Sequence, residues 1–197
     1  MTLKLGVLIS GRGSNLGAIL ASIQRGEVTA QVSVVISNNP VAPGLELARA
    51  HGVTAITVDP SDYDDRATYE YEVVSVLRTH GVQWVVLAGY MKLLGKTLLG
   101  AFKRRIINIH PSLLPSFKGL DAQRQALEYG VKIAGCTVHV VTSKMDDGPI
   151  LDQVAVPVLS GDTVATLSAR ILAEEHRLLP KVIQSIALGQ TNGDSPQ

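Results

Sequence analysis

Short apolar runs and amphipathic stretches alternate along the first half of the chain. The run at residues 5–9 stops at the glycine-containing turn 10–13, as expected of a strand buried on both faces. An amphipathic helix is predicted next, with Ser14 or Asn15 as its N-terminal cap and Gly26 near its end. The chain is therefore predicted to open with a strand, a glycine turn and a helix.

This order repeats through the first half. Further strands are predicted at residues 32–36, 55–58 and 83–88, and further helices at 45–50 and after Asp62. Strands that are separated by helices favour parallel pairing with right-handed crossovers.

The second half has a different pattern. Residues 105–109, 133–141 and 150–158 are strand-like, and loops, including the proline-rich turn 110–115, are expected to dominate between the first two. The third strand is expected to run antiparallel to its neighbour across the turn at 146–149.

A last amphipathic helix is predicted after Asp162, its expected cap, and a polar tail follows at residues 189–197. We therefore expect an open, mostly parallel, twisted α/β sheet of about seven strands. Helices should cover both faces, and antiparallel strands should lie in the C-terminal half. The 197 residues are expected to form one domain, with halves of about 1–100 and 101–188.

The composition excludes several classes of protein. With 18 Lys and Arg against 17 Asp and Glu, the net charge of +1 gives no overall attraction to nucleic acid or to a membrane surface. The single Cys136 and the absence of a Cys/His cluster predict no intrachain disulfide and no metal site. The apolar run 3–9 is too short to span a membrane and lacks the features of a signal peptide, so a cytoplasmic protein is expected.

The first candidate site is the loop at residues 10–15. There, backbone N–H groups and the helix dipole converge on a position suited to an anion. A dinucleotide-binding loop would carry a third glycine at position 16, where this chain has Leu16. The spacing favours a monophosphate, and the alternative is that these glycines only turn the chain.

The second candidate site is Asn108 and His110, at the predicted C-terminal end of a strand. Residues two apart share a strand face, so the amide and the imidazole should point together. That pair suits stabilisation of an oxyanion on a carbonyl under attack. The alternative is a turn histidine bonded to backbone.

The third candidate is Asp146, in a turn beside Asp147. Turns favour Asp in any case. If Asp146 folds back onto His110, its charge should raise the pKa of the imidazole and orient the ring. His139 is assigned only a position on a strand.

Four segments together resemble the glycinamide ribonucleotide formyltransferases, a family of the folate-dependent formyltransferase superfamily. They lie at 11–16, 87–94, 108–115 and 145–149, and the resemblance covers about residues 3–185. It implies a Rossmann-like formyltransferase fold, 10-formyltetrahydrofolate as the formyl donor, 5′-phosphoribosylglycinamide as the acceptor, and no metal.

The resemblance also implies binding residues. Gly13, Ser14 and Asn15 would hold the acceptor phosphate, Pro111 would lie beside the acceptor, and Glu175 would hydrogen-bond its ribose side. Without the resemblance, Glu175 is typical of a solvated helix residue. The implied folate pocket consists of Met91, Lys92, Leu93, Leu94, Val141, Ser143, Lys144, Met145 and Asp147.

The implied mechanism is direct transfer in which Asn108 and a protonated His110 stabilise the oxyanion. Asp146 would keep the imidazole charged and accept the amine proton through water. The chain departs from the family pattern at Lys118, where Pro is frequent, and at Asp121, where His is frequent. Asp147 replaces a small residue, and could either shift the titration of Asp146 or face solvent.

Three alternatives remain. A formyltetrahydrofolate hydrolase and a methionyl-tRNA formyltransferase share the Asn-x-His and Asp elements, but each is expected to carry a further domain that this length does not provide. A non-catalytic nucleotide-binding module could share the same sheet. Small molecules are the expected partners of a monomer or a homodimer.

Overall fold

Seven strands and six α-helices alternate along residues 2–191, which are the residues that the computed structural model describes. The strands are β1 (Leu3–Ile9), β2 (Ala30–Ser37), β3 (Ala55–Thr57), β4 (Trp84–Leu87), β5 (Ile106–His110), β6 (Ile133–Val140) and β7 (Ile150–Pro157). The helices are α1 (Ser14–Gln24), α2 (Pro43–Ala50), α3 (Arg66–Thr79), α4 (Lys96–Ala101), α5 (Ala122–Tyr129) and α6 (Val164–Ala187), with a 3-10 turn at Pro60–Asp62.

The strands form one sheet in the order β3-β2-β1-β4-β5-β6-β7. The first five strands of this order run parallel, whereas β6 is antiparallel to both β5 and β7. The register places Asn108 opposite His139 and His110 opposite Thr137. The predicted mostly parallel sheet with antiparallel strands in the C-terminal half is confirmed.

Helices cover both faces of the sheet, as predicted. Val7 and Ile9 of β1 belong to the apolar core that includes α1 and α6, whereas Leu8 belongs to the core on α3 and α4. Alternation along β1 therefore supplies both cores, since successive side chains of a strand point to opposite faces. Within residues 2–191, no helix is both long and apolar enough to cross a membrane.

Two helices lie where loops were predicted. Helix α4 spans only six residues, too few for an apolar period to stand out. Helix α5 buries only Ala122 and Ala126, so its apolar stripe is too narrow to be recognised in the sequence. The predicted helix after Asp62 begins four residues later, at Arg66, because its N-cap is Asp65, whose side chain accepts from the N–H of Thr68.

The predicted helix caps were wrong at both ends of the chain. Helix α1 begins behind Gly13, which has a φ of 75°, and no side chain caps it. Helix α6 begins behind Thr163 rather than Asp162, and Thr163 accepts a hydrogen bond from the N–H of Thr166. Of the predicted polar tail, residues 192–197 lie outside the described residues.

The cap of α6 gives a stability prediction. Thr163→Ala should lower the free energy of unfolding by about 1 kcal/mol, because the N–H of Thr166 loses its acceptor. Urea denaturation measures this, with Thr163→Ser, which keeps the hydroxyl, as the control. Equal stability of the Ala and Ser variants would contradict the assigned cap.

Candidate active site

The last residues of β5 carry two of the predicted site residues on one face. Asn108 and His110 are both in this strand, and the antiparallel pairing with β6 places His139 opposite Asn108. The amide nitrogen Nδ2 of Asn108 lies 3.2 Å from Nε2 of His139. The site therefore contains a second imidazole that the sequence pattern did not single out.

The contacts of His139 assign its hydrogen-bond roles. Its Nδ1 lies 3.1 Å from the carbonyl oxygen of Val140, which can only accept, so Nδ1 is the donor. Nε2 then accepts from one N–H of the Asn108 amide. Because an amide nitrogen carries two N–H groups, the second N–H of Asn108 remains for a ligand. His139 thus orients Asn108.

Asp146 reaches both imidazoles from the loop between β6 and β7. Its Oδ2 lies 3.5 Å from Nδ1 of His110, and its Oδ1 lies 3.6 Å from Nε2 of His139. The N–H of Gly119 donates to Oδ2 over 2.8 Å. The structure thus brings together the three residues that were expected to carry the chemistry, with His139 as a fourth member.

The pKa values of Asp146 and His110 are set by burial and by their neighbours. Burial raises the pKa of Asp146, but the contact with His139 at 3.6 Å, the hydrogen bond from Gly119 and the nearby His110 outweigh it, so the pKa is lowered. Burial lowers the pKa of His110, and the carbonyl of Phe117 and the charge of Asp146 only partly oppose it. The charge of Asp146 thus raises the pKa of His110, as expected, but desolvation exceeds this attraction, so the net pKa is lowered and the ring is not held protonated.

The tautomer of His110 is also set by its neighbours. Its Nε2 lies 2.9 Å from the carbonyl oxygen of Phe117, so Nε2 carries the proton. In the neutral ring, Nδ1 is then an unprotonated nitrogen that faces Asp146. At neutral pH the resting site combines a carboxylate with a neutral His110.

The glycine loop leads into an uncapped helix. Gly13 occupies the cap position of α1 in a left-handed conformation, and a Cβ there would lie 3.0 Å from Cα of Gly44. The first turn of α1 therefore offers its N–H groups to a ligand rather than to a side chain. Ser14 is exposed beside it.

Asn15 joins this loop to the far end of the chain. Its Nδ2 donates to Oε2 of Glu175 over 2.8 Å, although the residues are 160 positions apart. Glu175 is only 7% exposed, so its interpretation as a solvated residue was wrong, and burial raises its pKa against the opposing hydrogen bond from Asn15. Oδ1 of Asn15 is buried without a hydrogen-bond partner.

Gly44 supports the glycine loop, which the sequence pattern did not indicate. It lies in the first turn of α2, and its N–H donates to the carbonyl of Gly11 over 3.1 Å. A Cβ at Gly44 would lie 2.5 Å from Ile9 and 3.0 Å from the oxygen of Gly11. A side chain at this position would therefore displace the glycine loop.

The residues of the expected folate pocket lie in two loops. Met91, Leu93 and Met145 are more than half exposed, which is unusual for apolar side chains. Leu93 also helps to line a cavity of about 390 Å³, as do Tyr63, Arg66, Tyr90, Lys92 and Leu94. The structure thus brings three of the nine expected residues, Lys92, Leu93 and Leu94, to one cavity. The other six do not line this cavity; they are Met91, Val141, Ser143, Lys144, Met145 and Asp147.

The departures from the family pattern have defined contacts. Lys118 donates a charged hydrogen bond to Asp147, so Asp147 does not simply face solvent. Asp121 is exposed and has a φ of 56° at the start of α5, where its side chain makes no cap hydrogen bond. Pro111 is half-buried directly after His110.

Other reactive groups are not arranged for chemistry in the described part of the chain. Burial raises the pKa of the Cys136 thiol to about 12, so it is an inert core residue. Among residues 2–191, no group of three or more His, Cys, Asp or Glu side chains is placed to hold a metal ion.

The site combines an oriented amide, two imidazoles and a carboxylate, and the uncapped helix α1 begins after a neighbouring part of the same sheet. This arrangement suits the transfer of a group to an anionic acceptor. This class agrees with the comparison to known proteins. The chain belongs to the formyl transferase family, which matches residues 3–183.

Individual relatives are similar over nearly the whole chain. Phosphoribosylglycinamide formyltransferase of Bacillus subtilis is 42% identical over 96% of this chain and 96% of its own length. The human trifunctional purine biosynthetic protein adenosine-3 is 42% identical over 94% of this chain, which spans only 18% of that protein. The crystal structure of glycinamide ribonucleotide transformylase 1 from Symbiobacterium toebii is 54% identical, with a TM-score of 0.94, over 95% of this chain and 89% of that one.

The contacts of His110 give a titration prediction. NMR should show an imidazole midpoint below the ordinary value of about 6.5, because burial disfavours the charged ring. Asp146→Asn should lower the midpoint further, because it removes a charge that favours the imidazolium. A midpoint above the ordinary value in the unmodified protein would contradict this balance.

Proposed function

We propose that this chain transfers the formyl group of 10-formyltetrahydrofolate to the amine of 5′-phosphoribosylglycinamide, giving formylglycinamide ribonucleotide and tetrahydrofolate in purine synthesis. The observation that carries the proposal is the buried cluster in which Asp146 contacts His110 and His139, and His139 contacts Asn108. The names of the relatives support the acceptor and the reaction class.

The acceptor phosphate is proposed to bind at the N-terminus of α1. Support comes from the uncapped first turn behind Gly13, with Ser14 exposed beside it. Gly13, Ser14 and Asn15 are proposed to hold the phosphate, and Glu175 to bind the ribose side. Oδ1 of Asn15 is proposed to reach the ribose side as well, since it is buried and has no partner within the protein. Pro111 is proposed to flank the acceptor. An unpaired buried acceptor atom is costly, and a ligand hydroxyl would satisfy it.

The formyl oxygen is proposed to lie where Asn108 and His110 can both donate to it. Asn108 offers the N–H that His139 does not use. His110 offers Nε2–H, which the carbonyl of Phe117 holds in the resting site. A developing oxyanion competes well for this proton because hydrogen bonds to charged acceptors are the stronger ones.

The proton of the amine is proposed to move to His110. Because the pKa of Asp146 is lowered, its carboxylate is a weak proton acceptor, whereas Nδ1 of neutral His110 has a free lone pair. When the C–N bond forms, the ammonium proton passes through water to Nδ1, and Asp146 stabilises the resulting imidazolium. The imidazolium then returns a proton through water to the folate nitrogen, whose bond to the formyl carbon breaks as the carbonyl re-forms.

The donor is proposed to bind over the two loops that carry the nine expected folate residues. The exposed Met91, Leu93 and Met145 offer apolar surface for a flat aromatic ligand. Lys92, which lines the adjacent cavity, offers a positive charge to a folate carboxylate. We propose no metal, because the carbonyl can be polarised by hydrogen-bond donors alone.

The working unit is proposed to be residues 1–197 as one domain. The half at about 1–100 would bind the acceptor phosphate, and the half at about 101–188 would supply the folate and catalytic residues. We place the enzyme in the cytoplasm, as a monomer or homodimer that acts on small molecules and binds neither nucleic acid nor membrane. The near balance of charges supports this choice.

The assay of choice compares donor consumption with and without acceptor. The protein should consume 10-formyltetrahydrofolate only with 5′-phosphoribosylglycinamide, because Asn108 and His110 are proposed to act when an amine attacks. Equal consumption without acceptor would indicate a hydrolase, and consumption in neither assay would favour a non-catalytic module.

Substitution of the proposed catalytic residues tests the mechanism. Asn108→Ala should lower kcat by about 10²–10³ and His110→Ala by about 10²–10⁴, because a donor to the oxyanion or the proton carrier is lost. Circular dichroism and urea denaturation serve to show that the variants fold. A folded His110→Ala variant with nearly normal kcat would contradict the mechanism.

Substitution of Asn15 tests the acceptor site. Asn15→Ala should raise the KM for 5′-phosphoribosylglycinamide about tenfold or more and leave the KM for the donor unchanged, because the hydrogen bonds to the acceptor are lost. Thr29→Ala, a change beyond the C-terminal end of α1, is the control. An unchanged acceptor KM would contradict the proposed contact between the Asn15 side chain and the acceptor.

A further inference from the structure

The loop with Phe117, Lys118 and Gly119 meets the loop with Asp146 and Asp147 beside the catalytic cluster. Nζ of Lys118 makes a close charged contact with Oδ1 of Asp147, and the two side chains are 30% and 39% exposed. Lys144 also faces Asp147, but at 3.9 Å and with its side chain 82% exposed. Lys118 is therefore the main partner of Asp147.

Both members of this pair are next to residues that contact the catalytic groups. Lys118 lies between Phe117, whose carbonyl holds His110, and Gly119, whose N–H holds Asp146. Asp147 follows Asp146 directly. The ion pair therefore connects the same two loops as the hydrogen bond from Gly119 to Asp146. Lys118 directly precedes Gly119, and Asp147 directly follows Asp146.

The loops need such a restraint because of their backbone. Phe117 has a φ of 54° and Asp146 a φ of 49°. This left-handed region is unfavourable for residues with a Cβ, so these conformations persist only where surrounding contacts hold them. The pair adds a restraint beside the carboxylate contacts of Asp146.

We propose that Lys118 and Asp147 are positioning residues that hold the loop of Asp146 against the loop of Phe117 and Gly119, and so keep Asp146 on His110. This inference rests on the proposed function for its kinetic consequence. Neither residue touches the reacting atoms, and both act through Asp146. Lys118 and Asp147, two of the three departures from the family pattern, would thus compensate each other within this chain.

Exposed ion pairs contribute little to stability, so the effect should appear in catalysis rather than in unfolding. A lysine near the donor loops could instead act by attracting an anionic substrate. Such an effect would raise a KM, whereas loss of positioning lowers kcat. The variants are chosen to separate these two outcomes.

The test is a double-mutant cycle with Lys118→Met, Asp147→Asn and the double variant, together with Lys118→Arg. Each single variant should lower kcat about fivefold, which corresponds to about 1 kcal/mol, and leave the KM for 5′-phosphoribosylglycinamide unchanged. The double variant should be no worse than either single variant, and Lys118→Arg should retain nearly full kcat. Lys181→Met, which breaks the exposed ion pair with Asp152 outside the proposed site, is the matched control and should retain kcat.

Additive effects of the two substitutions on kcat would overturn the proposal, because additivity of the free-energy changes is expected of residues that act independently. An equal loss of kcat in Lys181→Met, or a change confined to the donor KM, would also overturn it. An unmodified protein without acceptor-dependent activity would instead refute the proposed function.

A titration tests the positioning without any turnover. His110 is faced by Asp146, by His139 and by the carbonyl of Phe117. In Lys118→Met the NMR midpoint of His110 should move to lower pH, because Asp146 is less well held beside it, whereas Lys144→Met should leave the midpoint in place. An unmoved midpoint in Lys118→Met would overturn the inference even if the enzyme proved inactive.

Discussion

The carboxylate of Asp146 is shared by three segments that are distant in sequence. Its side chain is only 12% exposed, and its oxygens face His110 of β5, His139 of β6 and the N–H of Gly119. A buried charge must keep such partners, because their loss leaves it desolvated and unpaired. The arrangement of the loops above the sheet therefore depends on this one carboxylate.

The same burial determines how charge is distributed before the reaction. Desolvation lowers the pKa of His110 more than Asp146 raises it, so His110 and Asp146 do not form an ion pair in the resting site. In the proposed mechanism, positive charge on His110 forms only as the oxyanion forms. The two charges then stabilise each other at the step where stabilisation accelerates the reaction.

Local patterns predicted much of the fold and some of the site. Alternation and helical spacing located all seven strands, and period-two geometry placed Asn108 and His110 on one face. His139 could not be found in this way, because its role depends on the register between β5 and β6. Helix α4 was too short, and Glu175 is buried only because α6 packs against α1.

The sheet order explains how the two proposed binding regions become neighbours. Strand β1 lies next to β4, and β4 lies next to β5, so the loops that follow these strands share one edge. Ser10, after β1, accepts from the N–H of Met91 over 2.8 Å. The N–H of Ser10 donates in turn to the carbonyl of Gly89 over 3.2 Å.

These bonds join the glycine loop of the proposed acceptor site to a loop of the proposed donor site. Transfer between two substrates requires that their reacting atoms be held within contact distance at the same time. The two hydrogen bonds of Ser10 meet this requirement by connecting the loops, so that the position of one substrate constrains that of the other.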